Sequence, residues 1–324
     1  MTTDKQQVLE RLYTRQLVNF PLARDNFKAL EQVVCKTFQE EGFRLRIQHN
    51  PARIISTNAK TDTASLQNRP CFLCPSGMDE AQKGIPYGAD YHIYINPYPI
   101  FPRHFIISSN RHIPQRIAGR FGDMLDLADD FRDYTVFYNG PASGASAPDH
   151  FHFQLASRHE MPLEAEAGHS SLRKVIHQND TYTLATLEGY LREVFILESA
   201  SKAILMQAFE RLQQAVGKVI PYEEEPRFNL FAWKEGDKWT VCLFPRRQWR
   251  PRQFYETGDR QIMFSPGCAD MAGLIIAPRR EDFERYTPAL LADLFRQVSI
   301  TPPEKEKIIA LFHPKASNPK LQQT

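Results

Sequence analysis

The stretch that decides the fold reads PDHFHFQ and spans residues 148–154. Along it His150, His152 and Gln154 alternate with two phenylalanines. Because successive side chains of a β-strand point to opposite faces of a sheet, this alternation predicts a strand with one polar face and one apolar face. We expect the phenylalanines to pack on a core and the three polar side chains to meet in one place.

Three interpretations of this histidine pair compete. The strand is an ordinary one whose polar side chains face solvent, or the histidines ligate a metal, or one of them is a nucleophile. Neutral imidazole attacks phosphorus, and a neighbouring amide holds the phosphate oxygens as charge develops. The preceding turn, NGPASGASAPD (residues 139–149), has the small residues that allow close backbone approach to a ligand. One imidazole cannot ligate and attack at once, so His150 and His152 divide the roles; the residues alone leave open which does which.

A second motif, NRPCFLCPSG, carries Cys71 and Cys74 in C-x-x-C spacing. This spacing is typical of a zinc knuckle and also of a redox pair. The surrounding pattern is not the βαβ arrangement of thioredoxin-like proteins, which favours zinc. Zinc needs two further ligands, and the candidates are the histidines near predicted strand ends: His104, His112, His150 and His152.

The composition indicates a globular protein. The 324 residues are 42% hydrophobic and 24% charged, with a formal net charge of +2. The length allows one large domain or two ordinary ones, and the charge is too small for nucleic acid or a membrane surface as the main partner. The N-terminus lacks the apolar run of a signal peptide, no stretch approaches the ~18 apolar residues of a membrane span, and the odd cysteine count is typical of a reducing compartment. We expect a cytoplasmic protein.

Periodicity changes along the chain. Helical spacing over residues 22–41 gives way to alternation over residues 43–57. The polar stretch of residues 58–90 predicts a long functional loop. RFNLFAWKEGDKWTVCLFPRR, residues 227–247, predicts a hairpin around Gly236.

Both halves run from a hairpin to a strand with an apolar phrase and then to a helix. The matching phrases are FIISSNRH, residues 105–112, and LIIAPRRE, residues 274–281. We interpret this as a weak internal duplication: an α+β fold of two half-domains, residues 1–160 and 161–324, with antiparallel sheets flanked by helices and packed as an internal pseudo-dimer. Such a pseudo-dimer makes a homodimer unnecessary without forbidding one.

At these motifs the sequence resembles the transferase branch of the histidine-triad superfamily. That branch includes galactose-1-phosphate uridylyltransferases, diadenosine tetraphosphate phosphorylases and GDP-hexose phosphorylases. The resemblance rests on HFHFQ as an H-x-H-x-Q motif, on CFLCP as the zinc-binding C-x-x-C, and on INPYPIFPRHFIISSNRH, residues 95–112, as the preceding strand pair. QHNPARIISTNAK, residues 48–60, is similar to the N-terminal stretch of GDP-hexose phosphorylases. The resemblance implies two histidine-triad-like half-domains, the first catalytic and the second a degenerate repeat.

The resemblance also implies a division of labour between the histidines. His152 becomes the nucleophile and Gln154 its phosphate-orienting partner. Zinc is implied on four ligands, namely Cys71, Cys74, His112 and His150. The family has two residues between the serine of the preceding turn and the first histidine, whereas here three residues follow Ser146.

Arginines after the second hairpin are candidates for phosphate binding. Arg246 and Arg247 belong to the densest basic cluster, FPRRQWRPRQF, and guanidinium groups bind phosphate in a bidentate manner. The alternative is a solvated strand end. The remaining candidate substrate contacts are Arg53, Lys60, Asn139 and Ser146.

We therefore expect a nucleotidyltransferase or phosphorylase that forms a nucleotidyl-histidine. The expected substrate is a nucleoside diphosphate-sugar or a dinucleoside polyphosphate, with phosphate or a sugar phosphate as acceptor. Two alternatives remain: a hydrolase of the same superfamily, and a non-catalytic nucleotide-binding protein that zinc stabilises. Redox function of the C-x-x-C pair is a more distant one.

Overall fold

The computed structural model describes residues 5–54, 63–168 and 171–312. Lys60, a predicted substrate contact, lies outside these residues. Within the described part, no helix is both long enough and apolar enough to cross a lipid bilayer.

Helices and strands alternate irregularly along the chain. The helices are α1 Lys5–Asn19, α2 Pro21–Leu30, α3 Thr63–Asn68, α4 Phe121–Asp130, α5 Pro162–Gly168, α6 Lys202–Val219, α7 Cys268–Met271, α8 Arg280–Arg285, α9 Pro288–Val298 and α10 Pro302–Phe312. The strands are β1 Val34–Glu40, β2 Phe43–His49, β3 Ile85–Tyr87, β4 Tyr91–Ile95, β5 His104–Ser109, β6 Tyr134–Asn139, β7 His152–Ser157, β8 Arg173–Gln178, β9 Thr183–Leu187, β10 Phe195–Ser199, β11 Phe228–Glu235, β12 Lys238–Pro245 and β13 Leu274–Ala277. Short 3-10 helices span Pro51–Arg53, Arg252–Tyr255 and Gly258–Arg260.

Within the described residues, ten strands form one antiparallel sheet in the order β3-β4-β5-β7-β6-β11-β12-β10-β9-β8. Read outward from the β6–β11 pair, the order is β6, β7, β5, β4 on one side and β11, β12, β10, β9 on the other. Each side is built from two strands, a helix (α4 or α6) and two more strands. The two halves therefore repeat one topology, related by an approximate twofold axis between β6 and β11.

The helices of the repeats pack on one face of this sheet. Phe121 of α4 stacks on Phe209 of α6 with ring centroids 3.8 Å apart. Phe151, Phe153 and Leu155 are fully buried in the same core. The apolar side of the histidine strand thus packs on the core, as the alternation of its residues predicts.

A small second sheet, in the order β1-β2-β13, lies on the opposite side. β1 and β2 form an antiparallel hairpin, and β13 joins β2 in parallel. Its Leu45, Ile47, Leu274 and Ile275 are buried in a second core with the inward side chains of β11 and β12. This layer covers the large sheet in the second half and leaves the histidine strand beside a cleft.

The expected α+β class, with antiparallel sheets flanked by helices in a pseudo-dimer, is confirmed. The helix expected over residues 22–41 is wrong beyond Leu30, because Val34–Glu40 pairs with β2 across a turn in which Gly42 has a φ of +87°. The polar stretch of residues 58–90 is also not one loop, since it holds α3 and β3.

The repeat is real, but the phrases matched for it are wrong. FIISS belongs to β5, whose counterpart is β10, whereas LIIA is β13 of the small sheet. A short apolar run followed by polar residues is common to buried strand ends, so the phrase alone does not identify the equivalent strand.

Candidate functional site

A cleft of about 450 Å³ opens where the first half of the large sheet meets residues 265–270 of the second half. Its polar lining includes Arg53, Asn96, Asn139, Ser146, His152, Gln154, Ser265 and Asp270. Its apolar lining includes Phe20, Leu22, Phe72, Leu73, Met78, Pro97 and Ile106. The two expected catalytic side chains and three of the expected substrate contacts are therefore brought together.

His152 begins β7 and is held by its backbone and by its ring. The side chain of Gln115 makes two hydrogen bonds to this backbone. Its Oε1 accepts from the His152 amide at 2.8 Å, and its Nε2 donates to the His152 carbonyl at 3.0 Å. The ring Nδ1 lies 2.9 Å from the carbonyl oxygen of His150. A carbonyl only accepts, so Nδ1 carries the proton and Nε2 keeps its lone pair. Burial lowers the pKa of His152 to about 4, against the opposing effect of that hydrogen bond, and the ring is neutral near pH 7.

Gln154, two residues on, points to the same face and is anchored by His104. The Ile100 amide donates to Nδ1 of His104 at 3.3 Å, and Nε2 of His104 lies 2.9 Å from Oε1 of Gln154. The ring therefore carries its proton on Nε2 and donates to the amide oxygen. With the oxygen of Gln154 engaged, its NH₂ group is the part left to donate in the cleft.

Asn139 ends β6 at the start of the turn that leads to His152. Its Oδ1 accepts hydrogen bonds from Asn229 Nδ2 at 2.8 Å and from the Cys268 amide at 2.7 Å. Ser146 lies further along the same turn and also lines the cleft. Asn139 is thus fixed by two groups from the second half.

This turn touches the second half through glycines. Gly144 has a φ of +103°, and a Cβ there would come 2.6 Å from Cα of Gly267. Only glycine permits both that conformation and that approach. The two backbones meet directly beside Asn139.

Four side chains cluster next to the cleft and can hold a metal ion. The ligand atoms of Cys71, Cys74, His112 and His150 lie within 4.8 Å of one another. Cys74 Sγ is 3.3 Å from His112 Nδ1 and 3.4 Å from His150 Nδ1. Ligand atoms about 3.5 Å apart are what a tetrahedron with zinc–sulfur and zinc–nitrogen bonds requires. The donor set therefore suits zinc, and His152 is outside it.

The far nitrogens of the two histidine ligands also have partners. His150 Nε2 lies 2.9 Å from the Ser109 carbonyl, and His112 Nε2 lies 3.7 Å from a carboxylate oxygen of Asp149. Arg69 reaches the other Asp149 oxygen at 3.1 Å and the Ser146 carbonyl at 3.4 Å. Asp149, the third residue after Ser146, thus connects the four possible metal ligands to the turn that lines the cleft.

The other predicted basic contacts lie in different places. Arg53 lines the cleft and donates to the Tyr98 carbonyl at 2.7 Å. Arg246 is fully buried, and its guanidinium donates to Asn229 Oδ1 at 2.8 Å and to the Trp249 carbonyl at 2.7 Å. Arg247 is half-exposed and pairs with Glu304 at 3.3 Å. Arg246 and Arg247 are not part of the cleft lining, because one turns inward to carbonyls and the other outward.

Sequence reasoning missed two residues at this site, Gln115 and Asn229, and considered a third, His104, only as a possible zinc ligand, whereas its ring lies outside the four-ligand cluster and contacts Gln154. Gln115 and Asn229 act on groups far along the chain, so no spacing reveals them. For His104 the sequence gives a weak indication of a place at the site, because this residue begins a strand that lies beside the histidine strand.

Two family descriptions match the chain in succession. "Domain of unknown function (DUF4922)" matches residues 12–157, and "GDPGP1-like, C-terminal domain" matches residues 167–315. The second match corresponds to the half that supplies Asn229 and Cys268.

Curated relatives match over part of the chain. A galactose-1-phosphate uridylyltransferase of Lactococcus lactis subsp. lactis is 35% identical over 79 residues, 24% of this chain and 16% of that protein. One of Staphylococcus saprophyticus subsp. saprophyticus is 29% identical over 124 residues, 37% of this chain and 24% of that protein. The chain therefore spans at most about a quarter of the length of these relatives.

A solved structure matches over almost the whole fold. The yeast Ap4A phosphorylase Apa2 superposes with a TM-score of 0.60 at 17% identity, covering 86% of this chain and 96% of that one. The likeness at that identity is one of fold. The second family description and the sequence relatives support the resemblance of this chain to the transferase branch of the histidine-triad superfamily.

Proposed function

We propose that the protein is a nucleotidyltransferase that works by double displacement on His152. The lone pair of Nε2 attacks the α-phosphorus of the substrate, an N–P bond forms, and the P–O bond to the leaving group breaks. An oxygen of phosphate or of a sugar phosphate then attacks the same phosphorus, and the N–P bond breaks to regenerate the neutral imidazole.

The observation that carries the proposal is the pairing of a neutral, oriented imidazole with two oriented amides. His152 presents Nε2 because its Nδ1–H is engaged by the His150 carbonyl. Gln154 and Asn139 each have their amide oxygen engaged, so each offers an NH₂ group to the cleft. Donors fixed before the reaction stabilise the charge that develops on phosphate oxygens.

Zinc, held by Cys71, Cys74, His112 and His150, supplies structure in this scheme. His150 stands two residues before His152, so a bound metal fixes the entry to β7 and the carbonyl that orients the nucleophile. No reaction step passes through the metal.

The substrate we propose is a nucleoside diphosphate-sugar or a dinucleoside polyphosphate. The apolar side chains of the cleft, including Phe72 and Met78, suit a nucleoside, and Arg53 and Ser146 are the proposed further phosphate contacts. A uridylyltransferase among the relatives and an Ap4A phosphorylase among the structures support this class of substrate. We also propose that residues 1–160 form the catalytic half and residues 161–324 complete the cleft; Lys60 stays a predicted contact.

The test is turnover with inorganic phosphate, with a sugar phosphate such as galactose 1-phosphate, and with neither acceptor. GDP-glucose, UDP-glucose and diadenosine tetraphosphate are each incubated with the protein, and the released products are separated. The proposal predicts phosphate-dependent formation of a nucleoside diphosphate, or transfer to a sugar phosphate. Equal product formation with neither acceptor indicates the hydrolase alternative, and binding without turnover indicates the non-catalytic one.

A further inference from the structure

We propose that Asn229 is a positioning residue that holds the Asn139 amide as a phosphate donor. It belongs to the second half, and the role rests on the proposed function, because the donor has a purpose only if a phosphate binds in the cleft.

Asn139 and Asn229 are paired directly across β6 and β11. Asn229 Nδ2 donates to Asn139 Oδ1 at 2.8 Å, and the Cys268 amide donates to the same oxygen at 2.7 Å. These two bonds fill both lone pairs of the oxygen. If the Asn139 amide were turned over, its NH₂ group would meet two N–H donors. The amide is therefore held with Nδ2 as its free end, and Asn139 lines the cleft with 8% of its surface exposed.

The orientation of Asn229 is itself determined. Its Oδ1 accepts from Arg246 Nη1 at 2.8 Å, and its Nδ2 also donates to the Ser143 carbonyl at 2.7 Å. Asn229 is fully buried, so an unmatched amide would be costly there. Arg246 only donates, and the order of donors and acceptors is thereby fixed from Arg246 through Asn229 to Asn139.

Arg246 is fixed by contacts of its own. It is fully buried, and its guanidinium also donates to the Pro266 carbonyl at 3.1 Å and the Trp249 carbonyl at 2.7 Å. Arg246 and Asn229 of the second half thus hold the Asn139 amide in one fixed orientation at the phosphate site. Arg246 serves that site through Asn229 and not by binding phosphate.

The test compares nucleoside monophosphates with their nucleosides. GMP, UMP and AMP, and guanosine, uridine and adenosine, are titrated calorimetrically into the wild type and Asn229→Asp. The substitution keeps the partner of Arg246 but removes the donor to Asn139. We expect the monophosphate that the wild type binds most tightly to lose about tenfold in affinity, as for a lost hydrogen bond to a charged group, while its nucleoside binds unchanged.

A double-mutant cycle separates this role from a structural one. If Asn229 acts through Asn139, Asn229→Asp costs no further monophosphate affinity in an Asn139→Ala background. Asn229→Ala removes the same donor without adding a charge and gives the same selective loss, so it decides the question if the aspartate variant does not fold.

Three outcomes overturn the inference: additive losses in the cycle, equal losses for nucleoside and monophosphate in both variants, and a wild type that binds no monophosphate more tightly than its nucleoside. Failure of the proposed reaction looks different. A selective phosphate effect of Asn229 without any nucleotide attached to His152 rejects the transfer chemistry and keeps the inference.

Discussion

The Nε2–H of His104 donates to Oε1 of Gln154 across 2.9 Å. His104 begins β5 and Gln154 lies within the neighbouring β7, so the bond joins two adjacent strands on the cleft face of the sheet. This contact decides which end of the Gln154 amide faces a bound phosphate.

Replacing His104 therefore has a kinetic consequence. His104→Phe fills a similar volume beside Phe101 and Phe137 but removes the donor. We expect kcat to fall by about tenfold, and Gln154→Leu, which removes the donor itself, to lower kcat by roughly 100-fold or more. Steady-state kinetics on both variants test this. A His104→Phe enzyme with wild-type kcat would mean that Gln154 needs no anchor.

The same variant changes how stability depends on pH. Burial and the nearby Arg53 lower the pKa of His104 from its ordinary 6.5 to about 3 in the folded protein. The unfolded chain therefore takes up a proton that the folded chain refuses, and this group costs stability as the pH falls from 6.5 towards 3. Between pH 7 and pH 5 the wild type should lose about 2 kcal/mol more than His104→Phe.

Urea unfolding of both proteins at the two pH values measures that difference. Other titrating groups are common to both chains and cancel in the comparison. Parallel losses of stability in the two proteins would show that the folded chain takes up a proton on His104 over the same pH range as the unfolded chain.

The four side chains that can hold a metal ion, Cys71, Cys74, His112 and His150, predict a defined zinc content. Elemental analysis should find about one zinc per chain in the wild type and almost none in Cys71→Ser. Cys35 is exposed and lies outside the cluster, so Cys35→Ser is the matched control and should keep its zinc. A chelator should lower the Tm of the wild type, because metal binding adds to the free energy of folding. A zinc-free protein with an oxidisable Cys71–Cys74 pair would contradict this and revive the redox interpretation.

How much of the site was predictable depends on the kind of contact. Alternation placed His152 and Gln154 on one face and the phenylalanines on the other, because strand geometry is local. The choice of His112 over His104 as a zinc ligand came from the resemblance alone, since both histidines lie near predicted strand ends. Gln115 and Asn229 remained hidden because each serves the site through hydrogen bonds to groups distant in sequence.

The arginines show a second limit to what the sequence predicts about the site. Arg246 and Arg247 form a dense basic cluster, but sequence density does not say where a guanidinium points. In the fold Arg246 turns inward to carbonyls and Arg247 outward to Glu304. Likewise, the helix expected beyond Leu30 was overridden by the pairing of β1 with β2, a tertiary effect that local periodicity does not contain.

The close approach of the two halves can be tested at a glycine. Gly144→Ala places a Cβ 2.6 Å from Cα of Gly267 at a φ of +103°. We expect loss of turnover and a stability loss of about 1–3 kcal/mol. Gly88 also has a positive φ, +59°, but open space around it, so Gly88→Ala should cost about 1 kcal/mol and leave turnover intact. Equal behaviour of the two variants in thermal unfolding and turnover assays would speak against a close-packed turn at the site.

The central claim is that the nucleotide passes through His152. The direct measurement is covalent labelling: the protein is mixed with a donor carrying ³²P at its α-phosphorus, without acceptor, then denatured, digested and sequenced. GDP-glucose, UDP-glucose and diadenosine tetraphosphate serve as donors. We predict an acid-labile label on the peptide that contains His152, discharged by phosphate or a sugar phosphate, retained in Cys35→Ser and absent in His152→Ala. A wild-type protein that turns over a donor without acquiring this label, or a His152→Ala protein that still turns over at a near-normal rate, would contradict the account.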